Sequence, residues 1–136
     1  MKLYVGKNSR TDWVSLSPTD IDIIKSFGNG EVEEIFIDNV LHTVSIQQMV
    51  QLVEMCVVKL KKGGKIDIVI NDWYEICSRF VHSLLQSDNL SKLIEDARCG
   101  FSHSEMVGLL SKFNIEISQI RHEIDGYQTY ISGTKK

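Results

Sequence analysis

Four short stretches of this chain carry side chains that could do chemistry. Asn71-Asp72-Trp73-Tyr74 sets a carboxylate beside two aromatic rings, a combination that suits a flat or cationic substrate. Asp72 is equally placed to be the N-cap of a following helix, with Trp73 as packing. Asp38-Asn39 closes an apolar run; the pair could hydrogen-bond a ligand or simply cap the next segment. Gly6-Lys7-Asn8 ends another run. It reads either as a ligand loop with Lys7 turned into a site or as a plain strand-end turn, since a lone glycine is a weak motif. His42 could serve as a general base or be a satisfied or exposed ring.

Other chemistries find little support. His82, His103 and His122 lie too far apart in sequence to suggest a metal set, and no His-Glu-x-x-His spacing exists, so no metal is expected. No Gly-x-Ser-x-Gly elbow supports a Ser-His-Asp hydrolase. Cys56, Cys77 and Cys99 are odd in number and widely spaced, which argues against a disulfide framework and a zinc site. Cys56 and Cys77 fall in apolar helical patterns, where a buried thiol is expected.

The elements that must position these residues alternate between strand and helix. Leu3-Tyr4-Val5, Trp13 to Leu16, Glu34 to Ile37 and Lys65 to Ile70 read as strands. The segment from Asp20 to Phe27 fits either a short strand or one helical turn. Ser45 and Gln48 form a capping box, followed by Ile46, Met49, Val50, Val53, Val57 and Leu60 on one helical face. Lys61-Lys62-Gly63-Gly64 reads as the stop, with Gly63 or Gly64 as a left-handed cap. Tyr74 to Leu85, with Leu84 and Leu85 on its apolar side, and Ser91 to Arg98 read as helices. Ser102 with Glu105 caps a further helix, bearing Met106, Leu109, Leu110 and Phe113. Two strands, Ile115 to Ile124 and Tyr127 to Ile131, close the chain around the Asp125-Gly126 hairpin signal.

This order predicts an α/β, three-layer domain with a mostly parallel sheet and a C-terminal antiparallel hairpin. Val5, Ile37 and Ile70 are expected side by side as its inner rungs. Asp72 and its neighbours then fall where the strands end, the ligand edge of such sheets. One connection is unusual. Only Lys7 to Asp12 separate Gly6 from Trp13, and a parallel crossover normally needs a dozen residues and a helix. The first crossover helix is therefore missing, and Trp13 or a second subunit is expected to cover the exposed sheet face.

The chain has 136 residues, 43% hydrophobic and 24% charged, with a net charge of −3. That length suits one domain spanning 1–136. The acidic balance and lack of a basic patch argue against nucleic acid as a partner. No apolar run approaches a membrane span. The N-terminus lacks the apolar core of a signal peptide, so a cytoplasmic location is expected.

In order along the chain, Lys2-Leu3-Tyr4-Val5-Gly6, Trp13-Val14-Ser15-Leu16-Ser17, Glu33 to His42, Lys59 to Ile68, Asn71-Asp72, and Phe101-Ser102 with Leu109-Leu110 resemble a shortened class I S-adenosylmethionine-dependent methyltransferase. Leu60-Lys61-Lys62-Gly63-Gly64-Lys65-Ile66-Asp67-Ile68 is the most specific piece. The resemblance implies a Rossmann-like methyltransferase fold and S-adenosylmethionine (SAM) as cofactor. It places the cofactor against Gly6, Lys7, Asn8, Ser17, Asp38 and Asn39, with Asp38 and Asn39 facing the adenine or the methionine amine. It makes Asp72 and His42 the residues that orient the acceptor, whose identity it leaves open. The chain departs from the pattern where Gly6-Lys7-Asn8-Ser9 keeps one glycine of the loop. Ser17 stands for the acidic residue that receives the ribose hydroxyls, leaving Asp20 or Asp22 to compensate. Val40-Leu41-His42-Thr43 replaces Val-Leu-Glu-His. These changes define an alternative, a catalytically inactive methyltransferase-like binding or assembly domain, with a homodimer through the uncovered sheet face.

Overall fold

A computed structural model describes residues 1–82, 86–123 and 126–136. Leu84, Leu85, Ile124 and Asp125, named above for the helix read over Tyr74 to Leu85 and for the final hairpin, lie outside the described residues. The described residues form six strands: β1 (Lys2–Val5), β2 (Val14–Leu16), β3 (Val32–Asp38), β4 (Leu60–Asn71), β5 (Ile115–His122) and β6 (Gln128–Lys135). Its helices are α1 (Ile21–Ser26), α2 (Ile46–Lys59), α3 (Trp73–Val81), α4 (Ser87–Asp96) and α5 (His103–Lys112), with a 3-10 turn at Leu41–Thr43. The strands form one sheet in the order β2-β1-β3-β4-β6-β5.

β1 to β4 run parallel, and β6 is antiparallel to both neighbours. This is the expected mostly parallel α/β sheet with an antiparallel C-terminal pair, and no helix lies between β1 and β2, as the spacing of the first two strands requires. Val5 lies opposite Ile37. Ile37 in turn meets Ile68, so the inner rung on β4 is Ile68 rather than Ile70.

Successive strand side chains point to opposite faces. Leu3, Val5, Ile35, Ile37, Ile66, Ile68, Ile70 and Ile131 share one core cluster with Ile24 of α1, Met49, Leu52, Val53 and Cys56 of α2, and Met106 and Leu110 of α5. Tyr4 and Val69 are also buried but stand outside that cluster, as the alternation demands. Near β1 the layer over this second face is thin. Tyr4 stacks on Phe36 at 5.8 Å, and the Arg10 guanidinium lies 4.5 Å from the Trp13 ring and 5.2 Å from that of Phe36. The short β1–β2 link thus lays Arg10 and Trp13 over part of the face that a crossover helix would otherwise cover.

Both capping boxes form. The Ser45 hydroxyl accepts from Gln48 N while Gln48 Oε1 accepts from Ser45 N, and Ser102 and Glu105 do the same for α5. The lysine-glycine stop works differently from expectation. Leu60 already takes extended geometry after α2 and begins β4. Gly63, at φ +76°, sits in a bulge between the pairings Val32–Leu60 and Glu34–Lys65. It absorbs the extra residues of β4, where a left-handed φ suits glycine, and does not cap the helix.

The ambiguous Asp20–Phe27 segment is helical, with Ile24 buried. α4 starts at Ser87, earlier than the spacing indicated, and buries no residue, so no apolar face marked its start. Cys77 is exposed rather than buried, because α3 packs through Ile76. Among the described residues, no helix is long and apolar enough to cross a membrane.

Candidate functional site

The parallel strands deliver their carboxyl ends to one edge of the sheet. There Lys7 and Asn8, after β1, and Asp38 and Asn39, at the end of β3, line a cavity of about 170 Å³. Gly6 N donates to Leu16 O at 3.0 Å and fixes the start of the loop. Tyr4 reaches along β1 and donates its hydroxyl to Asp38 Oδ2 at 2.6 Å. Burial first, then the hydrogen bond to Asp38, push the Tyr4 phenol up to about 12. A Cβ at Gly6 would lie 2.5 Å from that hydroxyl oxygen. A side chain at this position would have to displace the Tyr4 phenol from its place beside the loop.

Asn39 takes φ +54° and donates its backbone N–H to Val69 O at 3.0 Å. Its side-chain Oδ1 is buried with no partner among the described residues, as is Asn71 Oδ1. Two unpartnered acceptors near one strand edge are a demand for donors, since an unsatisfied buried acceptor costs free energy.

His42 lies in the 3-10 turn after β3 and is 6% exposed. Its ring Nε2 stands 3.5 Å from Asn71 Nδ2. Its backbone carbonyl accepts from Arg98 N at 2.7 Å, which ties the turn to the segment after α4. Burial, then the Lys7 ammonium, lower the His42 pKa, with Asp96 opposing. The ring is held neutral, as a base must be. Protonating it opposes folding, so its contribution to stability is complete above the ordinary imidazole value of about 6.5 and fades as pH falls below it. An NMR titration should show the His42 ring protonating below 6.5, and His42→Gln should remove part of the acid-side loss of stability.

The remaining expected residues are placed elsewhere. Ser17 ends β2 in a tight turn. Its N–H donates to Asp20 Oδ2 at 2.9 Å, and its hydroxyl lies 2.7 Å from Thr19 Oγ1. Asp20 has thus returned a carboxylate to the end of β2, whereas Asp22 is exposed and pairs with Lys25.

Asp72 is 0% exposed. Its Oδ1 accepts from Tyr74 N and His103 N, and its Oδ2 from His103 Nδ1 at 2.6 Å and Thr129 Oγ1 at 2.8 Å. The carboxylate is the N-cap of α3 and the knot of a polar network, with its acceptor sites occupied. Trp73 and Tyr74 line a groove of about 600 Å³ with Cys77, Phe101, Ser102 and Glu105. Sequence reading missed Tyr4, hidden in an apolar run, although period-two alternation puts it on the face of Phe36 and Asp38. It also missed that His103 and His122, distant in sequence, meet at Asp72.

No family model and no curated protein matches the sequence. Solved structures do. A SAM-dependent methyltransferase from Thermotoga maritima, described as a possible histamine N-methyltransferase, aligns with a TM-score of 0.61 at 18% identity over 90% of this chain and 63% of its own. An O-methyltransferase family protein from Burkholderia thailandensis gives 0.65 at 10% identity over 98% and 43%. A SAM-dependent methyltransferase from Archaeoglobus fulgidus gives 0.64 at 10% identity over 96% and 74%. The chain has the fold of SAM-dependent methyltransferases. It spans just under two thirds of the length of the first of these and less than half of the second.

Proposed function

We propose that this chain is a SAM-dependent methyltransferase domain whose cofactor lies at the carboxyl ends of β1 and β3, with an acceptor still to be identified. The observation that carries the reading is the cavity shared by Lys7, Asn8, Asp38 and Asn39, with Asn39 Oδ1 left without a donor. This donor and acceptor set fits the cofactor. Asp38 and Asn39 Oδ1 suit amine and hydroxyl donors, and Lys7 suits a carboxylate. Gly6 keeps the loop close to the strand ends, while Ser17 and Asp20 bond to each other after β2 and do not line the cavity. Bound SAM supplies an electrophilic methyl group on its sulfonium sulfur. The chain contributes position and a proton acceptor, and positioning alone supplies much of the rate in such transfers. His42, neutral and buried, takes the acceptor's proton. Asp72 acts by fixing the start of α3, so that Trp73 and Tyr74 present their rings along the groove.

The inactive alternative draws on one feature. The cavity, at about 170 Å³, is smaller than the roughly 300 Å³ at which ligand pockets begin, with the Tyr4–Asp38 hydrogen bond closing its β1 side. Calorimetry separates the two readings. SAM and S-adenosylhomocysteine should each bind with measurable heat and raise the melting temperature. Asp38→Ala should weaken binding at least tenfold. Absence of heat and of any thermal shift at millimolar ligand would leave the inactive module as the function.

A further inference from the structure

We propose that Asp72, His103 and His122 form a binding site for a divalent transition-metal ion of the zinc class. Each offers one ligand atom, and the three atoms lie within 4.8 Å of one another. They come from three separate places: the residue before α3, the first residue of α5 and the last of β5. The two imidazole rings stand 4.7 Å apart at 73°. Glu75 Oε1, in the first turn of α3, lies 3.8 Å from His122 Nδ1 and stands beside the cluster without belonging to it.

The donor chemistry chooses the ion. Two imidazoles with one carboxylate suit zinc and its first-row neighbours, whereas calcium and magnesium favour oxygen alone. The outer shell is also built. Thr129 is 0% exposed; its hydroxyl donates to Asp72 Oδ2 at 2.8 Å and lies 2.9 Å from His122 Nδ1. It orients two of the three ligands, as outer-shell partners do in metal sites. The floor is closed and the mouth is open: the Asp72 side chain is 0% exposed, that of His103 22% and that of His122 43%.

In the metal-free chain a proton does the ion's work. His103 Nδ1–H donates to Asp72 Oδ2 at 2.6 Å. Ligand atoms around a tetrahedral zinc stand roughly 3.3 Å apart, so this pair must open by less than about 1 Å. For the ion to bind at His103 Nδ1 the neutral ring changes tautomer, its proton passing through solvent to Nε2, so that the ligand remains a neutral imidazole.

The test uses the full chain, stripped with a chelator, and the metal alone, so its outcome is independent of the methyltransferase reading. Titration with cobalt(II) should give visible d–d absorption saturating at one ion per chain, and zinc should abolish it. His122→Ala, at a half-exposed side chain, should weaken cobalt binding about 100-fold or more, and Thr129→Val about tenfold. Circular dichroism of His122→Ala should match the unmutated chain. Failure to bind cobalt or zinc at millimolar concentration overturns the site. So does equal affinity in the unmutated chain and a His103→Ala/His122→Ala double variant.

Discussion

Replacing Asp72 with Ala should cost about 3–5 kcal/mol of folding stability, measured by urea denaturation in chelator. The Asp72 carboxylate lies at the junction of four elements, the end of β4 and the starts of α3, α5 and β6. Alanine would take the charged acceptor away from the buried Thr129 hydroxyl, leaving it only His122, and from the part-exposed His103 ring N–H, and would leave Tyr74 N uncapped. Hydrogen bonds to a charged acceptor are worth about 1.5–3 kcal/mol each, and shared partners keep them from adding fully. A cap alone is worth only about 1 kcal/mol, so the size of the loss distinguishes the two descriptions. Asp72→Asn keeps one carbonyl oxygen for the cap but turns an amide toward groups that donate, and should fall between. A loss below about 1 kcal/mol for Ala would mean that the network has no weight and that Asp72 is only a cap.

Asp72 also shows how far the sequence could be read. Its helix-capping role followed from its place between an apolar strand and an amphipathic helix, because both signals are local. Its partners His103 and Thr129 could not follow, because they reach it only after α5 and the final hairpin fold back. The capping boxes at Ser45 and Ser102 were legible for the same local reason. The parallel order of β1, β3 and β4 was legible from apolar runs and connection lengths. What escaped depended on pairing. The bulge at Gly63 exists because β4 is longer than β3 opposite it, which nothing in Lys61-Lys62-Gly63-Gly64 reveals. Ser17 stood in the sequence for an acidic residue that Asp20 or Asp22 would have to replace, and the fold joins Ser17 to Asp20 by a hydrogen bond. Tyr4 was invisible as a site residue because an aromatic ring in an apolar strand reads as packing. Its hydroxyl finds Asp38 only through the β1–β3 register.

That register divides the sheet into two unequal faces, and paired truncations should measure the difference. Ile68→Ala should cost about 3–4 kcal/mol, near the upper range for emptying a core aliphatic site. Ile68 is 1% exposed and is flanked by Ile37 on β3 and Ile131 on β6, within the cluster that α1, α2 and α5 close. A domain of this size holds about 5–15 kcal/mol in total, so the variant keeps its fold only narrowly. Phe36, one residue before Ile37, points to the opposite face, where it meets Tyr4 and Arg10. Phe36 is half-buried, so Phe36→Ala in the isolated chain should lose about 1–2 kcal/mol, the transfer of part of a ring and one stacking contact. Both variants should shift the urea midpoint without changing the slope. If Phe36→Ala proves as costly as Ile68→Ala, and its cost grows with protein concentration, the second face is a true core completed by another copy of the chain. If the cost is small and independent of concentration, Arg10, Trp13 and the short β1–β2 link suffice to close the sheet.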